Sequence, residues 1–513
     1  MFESNTDLLT RLPEERVGKA DRPSRPTPQG VNEAEADGLR SRTPDAQTRD
    51  ARIVAIVPRG EVIRNFVYSG AFKYLSQEAD LSLLSVSAGA KMDKLLKDTF
   101  QNVYPLADAD DPWALRMQRE IIATAHNRWL WSNAAKERSR LRDAEAKTAR
   151  EKFRRFFKKA ISYPFANRPG LAVLTGLERR LSRSLSVENP YVELFQTTKP
   201  TLVFNGSHVH SKIANRAVDA AQRLGIPTAT FIFSWDNLTS QGRILHPYDY
   251  YLVWNEQLKA QLLELYDNID ESCIFVTGTP QFDCHFRPEY HRDRDEFCEE
   301  MGLDPTRPFV LYSTGMANHM PGEPEIVEEI ADILASLEIQ AKPQLMVRVY
   351  PKDRTGRFDD LKKRRRDILF PDVAWDPKWM TPAPSDSAAL INSIRHAAVG
   401  INVASTVSLE LCMFDKPVIN IGFNPRSVKP ETLSYASYYD FDHYRPVVES
   451  GAVSVAWDRE QLCDLITHSL NDPVERQHER KAFLQDMFGN SLDGCSANRV
   501  ADVLLSLASL TKE

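Results

Sequence analysis

Short apolar runs rich in β-branched residues alternate along this chain with long amphipathic stretches. The first series of such runs extends from residues 51–58 to residues 274–278, and a second extends from 308–315 to 417–423. Strands that alternate with helices form βαβ units, whose right-handed crossovers build a parallel sheet. The sequence therefore predicts an α/β protein with two doubly wound, Rossmann-like domains. A length of 513 residues is sufficient for two such cores.

Composition sets the predicted domain boundaries. Residues 1–50 are rich in Pro and charged side chains, cannot bury enough apolar surface to order themselves, and are predicted to be a disordered tail. The N-terminal domain is predicted to span 51–285, and the polar stretch after it is its linker. The C-terminal domain is predicted to span 297–490, and 491–513 to form a closing helix.

A helical insertion of about residues 106–196 interrupts the N-terminal domain, and its second half is basic. Residues 136–184 hold fifteen Lys or Arg against five Asp or Glu. One interpretation is contact with a membrane surface, in which cations meet anionic lipid while apolar side chains enter the interface, namely Phe153, Phe156, Phe157, Ile161 and Phe165. The other is a solvated helical hairpin whose aromatic side chains form a satellite core.

Several classes of protein are excluded by what the sequence lacks. The six cysteines show no CxxC pair and no zinc spacing, so neither a disulfide framework nor a metal site is predicted. The N-terminal residues lack the basic and apolar segments of a secretory signal, and no apolar run is long enough to span a membrane. A cytoplasmic protein is therefore expected. A net charge of -6 gives no reason to expect a nucleic-acid partner.

The strongest candidate site lies in residues 400–423, where a buried strand passes directly into a helix. Ser405 and Thr406 stand at this turn, beside backbone N–H groups and a positive helix end that suit a diphosphate. Glu410 lies one helical turn beyond Thr406 on the same face and can accept hydrogen bonds from a ribose diol. In the alternative interpretation Ser405 only caps the helix and Glu410 is solvated.

This segment resembles the donor-binding segment of GT-B enzymes, including UDP-N-acetylglucosamine 2-epimerase and the glycerophosphotransferases of teichoic-acid synthesis. In those families a Ser/Thr pair takes the phosphates, a Glu takes the ribose, and a Lys-Pro turn leads into the next strand. The residues here that match are Ser405, Thr406, Glu410 and the run 416–419. The resemblance implies two domains that face a central cleft, with a nucleotide sugar as substrate and no cofactor.

The strand at 344–351 is the second candidate donor element. Its end is expected to leave Arg348 and Lys352 at the cleft edge, where two cations can neutralise a pyrophosphate as the glycosidic bond breaks. The segment is similar to an Arg-x-x-Pro segment of teichoic-acid polymerases. The alternative is a pair of surface cations that lie over a sheet edge.

The loop after the first strand of the second domain is the third element. GT-B families place a small-residue loop here against the donor phosphates, which implies contacts from Ser313, Thr314 and Gly315. His319 follows in the same loop and can contact the sugar or a phosphate. Its alternative is an ordinary loop histidine.

The N-terminal domain is expected to bind the acceptor and to supply a general base. His208 and Asp236 each follow a predicted strand, and either can take the proton of an acceptor hydroxyl. Asp236 can instead cap a turn, and His208 can be a core histidine. The Ser-Trp-Asp-Asn loop at 234–237 and the Gly-Thr-Pro segment at 278–280 resemble those of bacterial surface-polysaccharide transferases.

These resemblances imply a glycosyltransferase that moves a sugar from a nucleotide-activated donor to a carbohydrate or lipid-linked acceptor in surface polysaccharide synthesis. No Asp-x-Asp pair follows a predicted strand, and the cations can take the role of a metal ion, so a metal-independent enzyme is expected. Two alternatives stay open. One is a related enzyme, either a CDP-glycerol-type glycerophosphotransferase or a sugar-nucleotide epimerase. The other is a non-catalytic GT-B scaffold that binds nucleotide sugar.

Overall fold

A computed structural model describes most of the chain after the N-terminal segment. The described residues are 51–86, 90–107, 111–185, 189–209, 213–376, 380–429 and 434–510. The tail at 1–50, which the composition predicts to be disordered, lies outside the described residues.

The first sheet has seven parallel strands within the described ranges, in the order β3-β2-β1-β4-β5-β6-β7. The strands are β1 Arg52–Val57, β2 Asp80–Ser85, β3 Asn102–Pro105, β4 Leu202–Asn205, β5 Thr228–Phe231, β6 Tyr250–Val253 and β7 Ile274–Val276. Most of their side chains are buried because helices cover both faces, which explains the nearly continuous apolar runs. The strand order reverses between β1 and β4, and a crevice forms at such a reversal.

The helices of this half divide into those that cover the sheet and those of the insertion. In chain order they are α1 Gly60–Val62, a π-helical stretch Ile63–Tyr68, α2 Ala71–Glu78, α3 Ala90–Thr99, α4 Trp113–Leu130, α5 Asn133–Glu145, α6 Ala149–Ser162, α7 Arg168–Leu185, α8 Pro190–Thr198, α9 Ala214–Arg223, α10 Asn237–Ser240 and α11 Glu256–Leu265. The helical segment after β1 consists of three pieces. Gly70 separates the last piece because its backbone is left-handed.

The predicted helical insertion is confirmed and consists of α4 to α8. A small satellite core joins α4 to α7 through Ile122, Ala125, Leu171 and Leu174, and Phe165 packs against it. The other aromatic side chains of the basic segment do not join this core. Phe153, Phe156 and Phe157 are 68%, 69% and 56% exposed.

The second sheet has six parallel strands in the described part of the chain, in the order β10-β9-β8-β13-β14-β15. They are β8 Phe309–Ser313, β9 Gln344–Arg348, β10 Ile368–Leu369, β13 Val399–Asn402, β14 Val418–Ile421 and β15 Ser454–Ala456, and a separate antiparallel pair is formed by β11 Trp375–Asp376 and β12 Thr381–Pro382. The order again reverses, between β8 and β13. The expectation of two doubly wound Rossmann-like domains is therefore confirmed.

The helices of the second half surround this sheet and then return to the first. They are α12 Arg294–Met301, α13 Glu323–Ser336, α14 Asp359–Arg364, α15 Pro384–His396, α16 Val407–Met413, α17 Arg445–Glu449, α18 Arg459–Asn471, α19 Gln477–Phe488 and α20 Ser496–Ser509. The last helix, α20, buries Val500 and Leu504 in the same core as Phe72 of α2. The carboxylate of Asp283 accepts hydrogen bonds from the first backbone N–H groups of α20, at 3.1 and 2.7 Å. The chain therefore passes between the two sheets twice.

Candidate functional site

The loops after the strands of both sheets meet across a closed cleft. The indole N–H of Trp235, after β5, lies 3.4 Å from the hydroxyl of Thr406, after β13. The ammonium group of Lys352, after β9, pairs at 3.2 Å with Glu61, after β1. The predicted donor turn therefore faces the N-terminal domain directly.

The turn before α16 is shaped by its own side chains. Ala404 has a left-handed backbone, with φ at 41°. The backbone N–H of Ser405 donates to Asn402 at 3.1 Å, and the hydroxyl of Ser405 accepts from the N–H of Val407 at 3.3 Å. Ser405 is therefore a local cap in this state, while Thr406 is the hydroxyl that reaches the other domain.

Glu410 is buried, at 8% exposed, and lies 2.8 Å from His285. His285 belongs to the 3₁₀ segment Pro280–Phe286, which leaves the N-terminal domain. Burial alone would lower the pKa of His285, but the adjacent Cys284 and Glu410 outweigh it, and the pKa is raised. The interpretation of Glu410 as a solvated side chain is wrong. Its assignment to a ribose stays a prediction that requires the carboxylate to exchange partners.

The two cations predicted at the cleft edge have different surroundings. Arg348 is only 6% exposed, and its guanidinium donates to Asp386 at 2.6 Å. The indole N–H of Trp375 donates to the same carboxylate, also at 2.6 Å. Arg348 is thus held inside the C-terminal domain rather than at the edge, whereas Lys352 lies in the cleft.

The loop after β8 is held by a buried carboxylate. Glu323, near the start of α13, accepts from the backbone N–H of Gly315 at 2.9 Å and pairs with Arg357 at 2.7 Å. Burial raises the pKa of Glu323 to about 7, although Arg357 opposes this. The hydroxyl of Thr314 accepts from the N–H of Tyr350 at 2.8 Å. These contacts fix the loop, and the amide of Gly315 is already used within it.

Ser313 and His319 stand at the two ends of the same loop. The hydroxyl of Ser313 is buried and has no hydrogen-bond partner within the described ranges. The ring of His319 lies 3.1 Å from the hydroxyl of Tyr438. Burial and the charge of Arg138 lower the pKa of His319, so its ring is neutral at pH 7.

Asp236 immediately precedes α10 and directly follows the tryptophan that contacts Thr406. Its carboxylate accepts from the hydroxyl of Ser240 at 2.6 Å and from the amide of Asn237 at 3.3 Å. Burial alone would raise the pKa of Asp236, but His443 and the hydroxyls of Ser234 and Ser240 outweigh it and hold the pKa below its ordinary value. The group is therefore ionised at neutral pH, and its lowered pKa makes it a weaker base than an ordinary aspartate.

His208 lies apart from this carboxylate. One ring nitrogen is 3.3 Å from the carbonyl oxygen of Phe231, and the side chain lines a cavity of about 710 Å³ between the N-terminal sheet and the insertion. Gln241, one residue after the serine that donates to Asp236, lines the same cavity. His208 therefore lines this cavity directly, whereas Asp236 is joined to it only through the short segment 236–241.

Two side chains near the candidate site are not predicted from the sequence. Arg138, on α5 of the insertion, donates to Gln241 at 3.4 Å, and its charge acts on both Asp236 and His319. His443 packs edge-on against Trp235, with ring centroids 5.2 Å apart. The basic character of the insertion is visible in the sequence, but which cation reaches the cleft depends on how α5 packs.

This chain is similar to several solved structures. MnaA from S. aureus, solved with UDP, has a TM-score of 0.50 at 12% identity over 88% of this chain and 94% of that chain. A putative UDP-N-acetylglucosamine 2-epimerase from Listeria monocytogenes has a TM-score of 0.49 at 14% identity, covering 88% and 95%. A glycosyltransferase from Rickettsia africae has 0.48 at 12% identity, covering 89% and 99%.

The chain has the GT-B fold, with two doubly wound domains and a final helix that returns to the first. No protein-family model matches the sequence, and neither does any curated protein.

Proposed function

We propose that the protein is a glycosyltransferase that moves a sugar from a nucleotide-activated donor to a carbohydrate or lipid-linked acceptor in surface polysaccharide synthesis. The observation that carries the proposal is the contact between Trp235 and Thr406. It brings the loop of the candidate base, Asp236, against the turn expected to hold the donor phosphates. A transferase needs these two groups on opposite sides of one cleft.

The donor side of the proposal rests on the C-terminal domain. The phosphates would be contacted by Ser405, Thr406 and the loop from Ser313. The carboxylate of Glu410 would bind the ribose after its contact with His285 breaks. Lys352 would balance the charge that develops on the leaving pyrophosphate, as a metal ion does in other enzymes. Because Asp386 already balances Arg348, that arginine would act by holding the end of β9 rather than by touching the donor.

The acceptor side rests on the cavity of about 710 Å³ that borders the Asp236 loop through Gln241. A transferase binds two substrates, whereas an epimerase converts one nucleotide sugar in place. A cavity that is lined by Gln241, the residue after the Ser240 partner of Asp236, would hold a second substrate and therefore supports the transferase.

Peripheral contact with a membrane is part of this proposal. The exposed aromatic side chains of α6 are accompanied by exposed cations on the same helix, including Lys152 and Arg154. Such a surface suits an anionic lipid interface and would bring a lipid-linked acceptor to the enzyme. No helix among the described residues is long and apolar enough to cross a membrane.

The test is a thermal-shift titration with a panel of nucleotide sugars, because a ligand that binds only the folded state raises its melting temperature. We expect one donor to raise it, and Glu410→Ala to abolish that rise. The control Glu338→Ala, which removes an exposed carboxylate after α13, should retain it. Absence of any rise across the panel would refute donor binding.

Incubation of the bound donor with and without candidate acceptors then separates the alternatives. Transfer of the sugar, with slow hydrolysis in the absence of acceptor, is the expected result. Conversion of the donor into an isomer would indicate an epimerase, and binding without any turnover would indicate a scaffold.

A further inference from the structure

The cavity between the insertion and the N-terminal sheet is separate from the proposed donor site. Its walls come from α4, α5 and α6 of the insertion, from the loop after β4 at His208, and from residues 241–246, which precede β6. A volume of about 710 Å³ lies within the range of small-molecule sites. It also opens at the carboxyl end of parallel strands, where ligands of such sheets bind.

The walls of this cavity carry an excess of positive charge. Seven cationic and four carboxylate side chains line it; the cations are Arg116, Arg119, Arg142, Arg154, Arg155, Lys158 and Arg243. Much of this charge is balanced locally. Lys158 pairs with Glu120, Arg119 pairs with Glu178, and Arg155 pairs with Asp143. The remaining excess favours an anionic ligand.

Arg243 is a cavity cation that stacks on an aromatic ring. Its guanidinium stacks on the ring of Tyr266, 4.7 Å from the centroid, and no ion pair joins it to a carboxylate in the part of the chain that the structure describes. The side chain is half-buried, and burial lowers its pKa. A planar guanidinium held against an aromatic ring presents its N–H groups in a fixed direction, which suits bidentate binding of a phosphate.

His246 gives a second, independent indication of a ligand. It lines the cavity at 4% exposed, and neither ring nitrogen has a hydrogen-bond partner among the described residues. Burial and the nearby charges of Arg119 and Arg179 lower its pKa to about 3, so the ring is neutral. A neutral imidazole has one donor and one acceptor, and a hydroxyl group can satisfy either.

We propose that this cavity binds a phosphorylated carbohydrate, with the phosphate on Arg243 and sugar hydroxyls against the wall that contains His246. The identification of this ligand as the acceptor rests on the proposed function, but the binding itself does not. A free sugar phosphate and a lipid-linked one share this chemistry.

Isothermal titration of the full chain with glucose 1-phosphate, glucose and inorganic phosphate tests the chemistry. We expect glucose 1-phosphate to bind most tightly and its affinity to fall as salt is raised. Arg243→Gln should weaken it by about tenfold or more, the loss expected for a bidentate charged contact. Lys158→Gln should weaken it too, whereas Lys152→Gln, on the same helix but outside the cavity, should not.

Vesicles of phosphatidylcholine with and without a polyprenyl phosphate sugar distinguish the two sources. Binding that requires the polyprenyl phosphate sugar and is lost in Arg243→Gln identifies the lipid-linked form, and binding of glucose 1-phosphate alone identifies the soluble form. Equal binding of glucose and glucose 1-phosphate, or undiminished binding in Arg243→Gln, would overturn the proposal.

The thermal shift with nucleotide sugars keeps this result separate from the donor site. Arg243→Gln should retain the shift of the unmodified protein, which also shows that the variant is folded. If no nucleotide sugar raises the melting temperature of the unmodified protein but glucose 1-phosphate still binds, the proposed function is refuted. The assignment of the cavity is then unaffected.

Discussion

The imidazole of His285 and the carboxylate of Glu410 lie 2.8 Å apart, and both side chains are buried. His285 belongs to the segment that leaves the N-terminal domain, and Glu410 belongs to the helix expected to bind the donor. The ring of Phe414 packs beside the imidazole, with centroids 5.8 Å apart. One ion pair therefore links the proposed donor helix to the segment that connects the domains. A donor whose ribose binds Glu410 would break the contact between Glu410 and His285 and so free this segment.

Glu410→Gln should make folding less sensitive to alkaline pH. Cys284 and Glu410 raise the pKa of His285 in spite of its burial, so the pair contributes its full stability below the ordinary histidine pKa of about 6.5 and loses it as pH rises through the raised value. Breaking a buried pair costs about 3–5 kcal/mol in the free energy of unfolding.

Urea unfolding between about pH 6 and pH 9 measures this effect. The unmodified protein and the control Glu338→Gln should lose stability over this range, and Glu410→Gln should lose less. Parallel pH profiles for all three proteins would contradict the assignment of the ion pair.

Asp236→Asn should reduce sugar transfer by about 10²–10⁴-fold, because an amide cannot take the proton of the acceptor hydroxyl. The asparagine retains the shape of the side chain, so the thermal shift with the donor should not change. Asp442→Asn is the matched control, because Asp442 also acts on His443 but accepts a hydrogen bond from the backbone of Asn133 instead. An equal loss of rate in both variants would mean that the local charge, rather than a base, is responsible.

Most strands of the two sheets can be predicted because a buried parallel strand is a continuous apolar run. The edge strands β10 and β15 of the second sheet are not predicted, since they have only two and three residues. β3 was not predicted, since Asn102–Pro105 has only two apolar side chains and lies at the sheet edge. Contacts between distant segments carry no local signal. Asp386, which neutralises Arg348, is 38 positions away, and His285 is 125 positions from Glu410. The elements of the site are therefore visible in the sequence, but the partners of its charges are not.

Arg138→Gln should reduce the rate of transfer without preventing donor binding. The guanidinium acts on Asp236 and on His319, which belong to different domains, and it reaches them from the insertion. Its removal takes a positive charge from the proposed reaction site, where such a charge stabilises a developing anion. Lys136→Gln, an exposed change on the same helix, is the control. If kcat is the same for Arg138→Gln and Lys136→Gln, the insertion has no part in catalysis.

Gly60→Ala should prevent the cleft from closing fully. A Cβ atom at Gly60 would lie 2.5 Å from the Cα of Thr381 in the opposite domain, which is closer than real contacts allow. We expect a larger radius of gyration in small-angle X-ray scattering and a slower transfer. Gly176→Ala is the control, because no atom lies within 4 Å of its added Cβ and a helical alanine is more stable by about 0.5–1 kcal/mol. Identical scattering from Gly60→Ala and the unmodified protein would show that the domains do not need this contact.

Replacement of Phe153, Phe156 and Phe157 together by serine should release the protein from anionic vesicles. These rings are exposed on α6, and an exposed aromatic cluster is stabilised when it enters a lipid interface beside cations that meet anionic headgroups. Co-sedimentation with phosphatidylglycerol vesicles measures the binding, which should weaken as salt is raised because the ionic part of the attraction is screened. Val474→Ser changes an exposed apolar residue far along the chain and should bind as the unmodified protein does. Because the three rings pack against little else, the triple variant should also keep its melting temperature and its donor-induced shift. Undiminished vesicle binding by that folded variant would mean that α6 is not the membrane-contacting surface.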